Sequence, residues 1–218
     1  MKTKKRVFGW VEAIFDILYL LSALLIGIYL LRQAGSPVRI LTGCMALLLA
    51  AGDSFHLVPR IGVILTGLEQ RLAKAMGIGK LITSVTMTGF YLLLWQTGLL
   101  LFLGTSRSYW SIPVYVLAVL RIILCMFPQN RWTDRYPPVR WGIYRNIPFF
   151  LLGAATAGLF AAHIGAVPAM DGMWIAILLS FGFYLPVVLW SNRNPKVGML
   201  MLPKTCAYLW MLVMCLSL

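Results

Sequence analysis

The sequence predicts an all-α integral membrane protein, a single bundle of about seven transmembrane helices, N-terminus inside and C-terminus outside. Three observations predict it: apolar runs of spanning length, a composition too apolar for a soluble fold of this size, and a one-sided placement of Lys and Arg. The runs cover roughly 10–32, 40–59, 81–103, 109–127, 148–168, 173–190 and 198–218. Each is about 18–24 residues, enough to cross a hydrocarbon core of roughly 30 Å at 1.5 Å per residue. Backbone polar groups in lipid must be satisfied within their own segment, so the runs are read as helices, strand-like stretches included.

Hydrophobic residues make up 61% of the 218 and charged ones 11%, against about 25% charged in soluble domains. A soluble chain of this length has too little interior to hide that surface. Residues 1–218 therefore form one polytopic transmembrane domain. The net charge of +13 does not point to nucleic acid, because no basic stripe or stacking platform accompanies it. Its expected partners are membrane lipids, with anionic headgroups on the cytoplasmic face.

The first run follows the basic stretch MKTKKR but is too long for a signal-peptide core, lacks an A-x-A site and contains Asp16. It is read as a retained first helix. With the N-terminus inside, the inner segments hold Lys2, Lys4, Lys5, Arg6, then Arg60, Arg71, Lys74, Lys80, then Arg131, Arg135, Arg140, Arg145, and finally Arg193, Lys196 and Lys204. The outer ones hold Arg32, Arg39 and Arg107, fifteen against three. That bias orients the chain in a plasma membrane, of the bacterial inner-membrane kind.

Two inner connections are long. In 61–80, Leu68, Leu72 and Met76 recur at helical spacing and suggest a short helix lying on the leaflet. In 128–148, Trp132, Tyr136, Trp141 and Tyr144 alternate with arginines, as an interfacial loop or a cap over a site would. Cys44, Cys125, Cys206 and Cys215 lie in apolar runs without a CxxC pair. That excludes a zinc ribbon and leaves them as small buried hydrophobes.

Ionisable residues at membrane depth are costly and mark candidate sites. Five stand out: Asp16 in the first run, Asp53 and His56 in the second, Arg121 in the fourth and Lys204 in the seventh. Counted from the inner end of each helix, all five fall within about 10 Å of the inner interface. Asp53 and His56 share a helix face, which Arg60 continues. Thr83, Ser84, Thr86, Thr88, Tyr184 and Asn192 populate the same layer, and the expectation is a wet cavity open to the cytoplasm.

Three readings stay open. The layer is a set of ion pairs fixing helix packing. Or it is a site for binding or transporting a small anionic or lipid-headgroup ligand, with Arg121 and Lys204 receiving the anion beside Asp16, Asp53 and His56. Or it is a membrane-embedded lipid hydrolase, with Asp53 and His56 catalytic and Asp53, His56 and Asp16 the candidate ligands for a metal. The sequence specifies no cofactor and no oligomeric state. His163, about 22 Å from the inner face, is expected to bond a neighbouring helix, and Trp95 and Trp210 to pack between helices.

Two likenesses of layout attach to particular residues. The Gly-Asp of LLLAAGDSFHL resembles that of lysoplasmalogenase-type membrane proteins, which implies a second acidic motif in a late helix; this chain has none. Seven helices with Asp and His near the inner face resemble the progestin-receptor and ceramidase-like membrane hydrolases, which implies zinc on a late HxxxH pair. No histidine follows His163. Both are likenesses of layout only.

Overall fold

The computed structural model describes residues 2–33, 35–134 and 136–218, the side chains of 2–8 and 195 excepted. Of the basic residues that orient the chain, the side chains of Lys2, Lys4, Lys5 and Arg6 and the whole of Arg135 lie outside that description. Helix is the only regular structure among the described residues: α1 (Lys2–Arg32), α2 (Pro37–Thr66), α3 (Glu69–Leu103), α4 (Ser111–Met126), α5 (Val139–Ala161), α6 (Met173–Trp190) and α7 (Met201–Cys215), with 3₁₀ turns at Pro128–Asn130, Pro168–Met170 and Pro195–Leu200. Six helical segments are long and apolar enough to cross a membrane, as a multi-pass membrane protein requires. The shorter one is α4, whose 16 residues span about 24 Å.

Local chemistry sets the boundaries. The Ser36 hydroxyl accepts from the Arg39 N–H at 3.3 Å and Pro37 opens α2, where its missing N–H costs nothing. At the far end Gly67 turns left-handed, φ 73°, and its N–H returns to the Val63 carbonyl. Only Gly67 and Leu68 separate α2 from α3. The short surface helix expected over 61–80 is therefore absent: Leu72 and Met76 belong to α3, whose apolar spacing simply continues toward the turn. Likewise α5 starts at Val139, inside the expected loop, and Pro148 sits in its interior.

The helices close into a ring. α2 packs between α1 and α3, α5 meets α3, α4 and α6, and α7 packs on α6 and returns to α1 and α2. At the centre Phe90, Tyr91, Phe149, Phe181 and Tyr208 are buried or nearly so. Their rings meet edge to face, Phe90–Tyr91 at 5.4 Å, Phe90–Tyr208 at 5.6 Å and Tyr91–Phe149 at 5.2 Å. Such pairs add about 0.5–1.5 kcal/mol each beyond area burial, and packing of this kind carries helix association in lipid.

α2 and α3 approach most closely where Pro59 interrupts the α2 ladder. Proline supplies no N–H to the carbonyl four residues earlier, which is that of Phe55. Gly79 of α3 lies against that carbonyl, and a Cβ there would collide with it. Small residues permit close helix approach, and Gly98 and Gly153 do face other side chains, Leu159 and Phe181. Ala154 and Gly158 point outward instead, and a Cβ on Gly158 meets nothing. Gly158, one residue past Ala157, is rotated about 100° off the α5 face that Gly153 and Ala157 bury.

The structure corrects smaller expectations. Cys125 and Cys215 are buried, but Cys44 and Cys206 are exposed on the outside of the bundle. Trp95 packs inside and donates to the Ser111 hydroxyl at 3.0 Å, whereas Trp210 is partly exposed. His163 bonds its own helix, Nδ1 to the Leu159 carbonyl at 2.9 Å, and stacks on Phe102 of α3.

Candidate functional site

Two halves make up the polar layer. The first is built on α1, α2 and α3. The Tyr19 hydroxyl donates to Asp53 Oδ2 at 2.6 Å, joining α1 to α2. Asp16, one turn before Tyr19 on the same face, is 5% exposed and its Oδ2 has no hydrogen-bond partner. Asp53, 8% exposed, is within electrostatic reach of both Asp16 and His56. Further toward the charged end Arg60 Nε meets Glu12 Oε1 at 2.8 Å.

The His56 tautomer follows from one hydroxyl proton. Thr83 Oγ1 lies 2.9 Å from the Gly52 carbonyl and 2.9 Å from His56 Nδ1. A carbonyl only accepts, so the single Thr83 proton goes to Gly52, and Thr83 must accept from His56 Nδ1–H. Nε2 is then the ring's open, basic nitrogen.

The second half is cationic. Arg121 of α4 is 2% exposed, with Nε and Nη1 unpartnered. Its guanidinium lies over Phe149 of α5, Cζ 3.1 Å from the ring centroid. Lys204 of α7, 8% exposed, sets Nζ 4.6 Å from the Tyr184 ring centroid and 5.1 Å from that of Tyr208. Lys204 is within electrostatic reach of both Asp53 and Arg121 and so links the halves electrostatically.

Among the described residues the ion pair within 4 Å is Arg60–Glu12; none joins Arg121 or Lys204 to Asp16 or Asp53. The expected lattice of mutual ion pairs is therefore not present. Neither is the metal set: Asp16, Asp53 and His56 do not gather into a group able to hold an ion among the described residues, and Asp53 and His56 are bonded instead to Tyr19 and Thr83. The expectation of an open cavity also needs correction. Exposure declines from Arg60 through His56 to Asp53; Asp16, Asp53, Arg121 and Lys204 are buried and His56 is half-buried. Two surface grooves lie elsewhere, one of about 530 Å³ by Ser36, Leu100 and Ser106, the other of about 570 Å³ by Arg131, Arg140, Trp141 and Tyr144.

The connection before α5 has its own organiser. Buried Asn130 donates through Nδ2 to the Leu124 and Phe127 carbonyls at 2.7 and 2.9 Å, and Trp132 Nε1 to that of Cys125 at 3.0 Å, satisfying the free end of α4. Arg145 Nη1 donates to Asn130 Oδ1 at 2.7 Å and its guanidinium covers the Trp132 ring. Tyr19, Phe149, Tyr208 and Asn130 were not singled out from the sequence. Tyr19 had a signal, three residues from Asp16 on one helical face, and so had Tyr208, four residues from Lys204 on α7; Phe149, under Arg121, comes from another helix and had none.

Compared with family models, curated proteins and solved structures, the chain matches none of them. Its function is therefore read from the geometry of the polar layer alone.

Proposed function

We propose that this protein binds or transports a small anion, free or as a lipid headgroup, which Arg121 and Lys204 receive from the cytoplasmic side. In this reading all seven helices cross a plasma membrane of the bacterial inner-membrane kind, N-terminus inside and C-terminus outside, with anionic headgroups as lipid partners. One observation carries it: Arg121 is buried with two donor nitrogens unpartnered and no carboxylate in contact. The Cys125 thiol, a weak acceptor, is the guanidinium's side-chain hydrogen-bond partner, so two buried nitrogens are left unmatched at a cost, and a carboxylate, sulfate or phosphate group would satisfy them. Phe149 fills one face of the guanidinium, so an anion would bind in its plane. Lys204 adds a second positive charge without a fixed partner, since rings rather than carboxylates surround its Nζ.

The hydrolase reading keeps one support, the open Nε2 of His56, and no longer the metal. The melting temperature of the purified protein with inorganic phosphate, sulfate, acetate and glycerol phosphate tests the proposal. At least one anion should raise it, and Arg121→Ala should abolish the rise. A protein indifferent to all four, or an Arg121→Ala protein that responds as the wild type does, would overturn the reading.

A further inference from the structure

Among the described residues, buried side-chain atoms without a hydrogen-bond partner occur on two residues, Oδ2 of Asp16 and Nε and Nη1 of Arg121. One is an acid and the other a base, yet they do not pair with each other. If Arg121 awaits an anion, the symmetrical question is what Asp16 awaits.

Three carboxylates share that side of the bundle, and two are provided for. Glu12 has Arg60 at 2.8 Å and Asp53 has the Tyr19 hydroxyl at 2.6 Å. Asp16 is left over. It is nine-tenths buried, and Glu12 and Asp53 both add negative charge around it, which Arg60, already paired with Glu12, offsets only in part. A buried carboxylate in that position is compensated by a cation or becomes neutral by binding a proton. A metal ion needs several ligands at once, and no three His, Cys, Asp or Glu side chains gather among the described residues. A proton needs one oxygen.

We propose that Asp16 is a proton-binding site coupled to the anion site, so that the protein holds an anion at Arg121 and Lys204 together with a proton on Asp16. This rests on the anion reading of Arg121 and Lys204. The charged and titratable groups acting on Asp16 are Glu12 and Tyr19 on its own helix and Asp53 and Arg60 on α2. Asp53 and Lys204 carry the coupling. Lys204 offsets the charge of Asp53, and Asp53 acts on Asp16. An anion that engages Lys204 leaves Asp53 less compensated, and the proton on Asp16 is held more tightly. By linkage, a proton on Asp16 strengthens anion binding by the same factor. The proton comes from cytoplasmic water and no covalent bond changes.

Infrared spectroscopy of the full chain in nanodiscs, titrated with pH with and without sulfate, tests this; sulfate carries no proton near neutral pH. The wild type should show the carbonyl band of a protonated buried carboxyl, absent from Asp16→Asn and displaced in Asp16→Glu. Sulfate should move its midpoint to higher pH, and Arg121→Ala should prevent that move. Between the midpoints without and with sulfate, sulfate affinity should fall by up to about tenfold per pH unit, and in Asp16→Asn this dependence should flatten while sulfate still binds. A missing band, or a midpoint indifferent to sulfate while sulfate still raises the melting temperature, overturns the coupling and leaves the anion site standing. A band replaced by sodium-dependent stabilisation overturns it in favour of a metal cation. No melting response to any anion overturns both. Should Asp16→Asn not fold, wild-type proton uptake on sulfate binding, from calorimetry in two buffers of different ionisation heat, decides: one proton supports the coupling and none overturns it.

Discussion

Phe149 lies flat against Arg121, the ring centroid 3.1 Å from the guanidinium carbon. A helix that supplies a ring rather than a carboxylate holds the cation without neutralising it. Desolvated cation–π contacts give about 2 kcal/mol. Each buried donor left without an acceptor costs about 1–3 kcal/mol, and Arg121 has two such nitrogens.

The balance predicts an unusual variant. Arg121→Met, apolar and similar in reach, should leave the ligand-free melting temperature unchanged or raise it, as replacements of buried charge often do. The same variant should lose all anion-dependent stabilisation. A large drop in melting temperature would mean that Arg121 serves architecture.

Tyr19→Phe should behave in the opposite way. It removes the donor to Asp53 Oδ2 and leaves a buried carboxylate oxygen unsatisfied, at a cost of about 1–3 kcal/mol. Thermal unfolding in detergent reads this out, and Tyr19→Phe combined with Asp53→Leu should recover much of the loss. Failure of the pair to recover would break the assigned link.

Gly79→Ala should destabilise the bundle by about 1–3 kcal/mol through overpacking, because the new Cβ runs into the Phe55 backbone carbonyl rather than a side chain that can turn away. Gly158→Ala, which meets open space, should stay within about 0.5 kcal/mol. Comparable losses would place the close contact elsewhere.

Much of this architecture is legible in the sequence. Run length and apolarity locate the helices, because lipid forces each segment to satisfy its own backbone. Their ends are less visible: α2 and α3 run past the expected interface to Gly67, since polar residues continue a helix as well as they end one. Depth counting singles out Asp16, Asp53, His56, Arg121 and Lys204 together, and in the structure Lys204 is within electrostatic reach of both Asp53 and Arg121. What spacing along one chain does not reveal is which partner each charge meets. Arg121 faces a ring instead of Asp53, a choice made by the rotation of α4 against α5.

A reporter active only in the cytoplasm, fused after Leu218, tests the orientation read from the basic residues. The fifteen-to-three bias predicts an inactive fusion there and an active one after Gly67. The reverse pattern would invert the bundle and move the proposed anion entrance to the other side.

The Tyr19–Asp53 and Glu12–Arg60 bonds also bear on biogenesis. Until α2 emerges, Glu12 and Tyr19 have only lipid or the translocon beside them, and an acidic residue costs up to about 2.5–3.5 kcal/mol at a helix centre on insertion scales and less toward the interface. Both partners lie on the second helix, so α1 reaches its final position as half of a hairpin, and the order of synthesis becomes part of how the site is assembled.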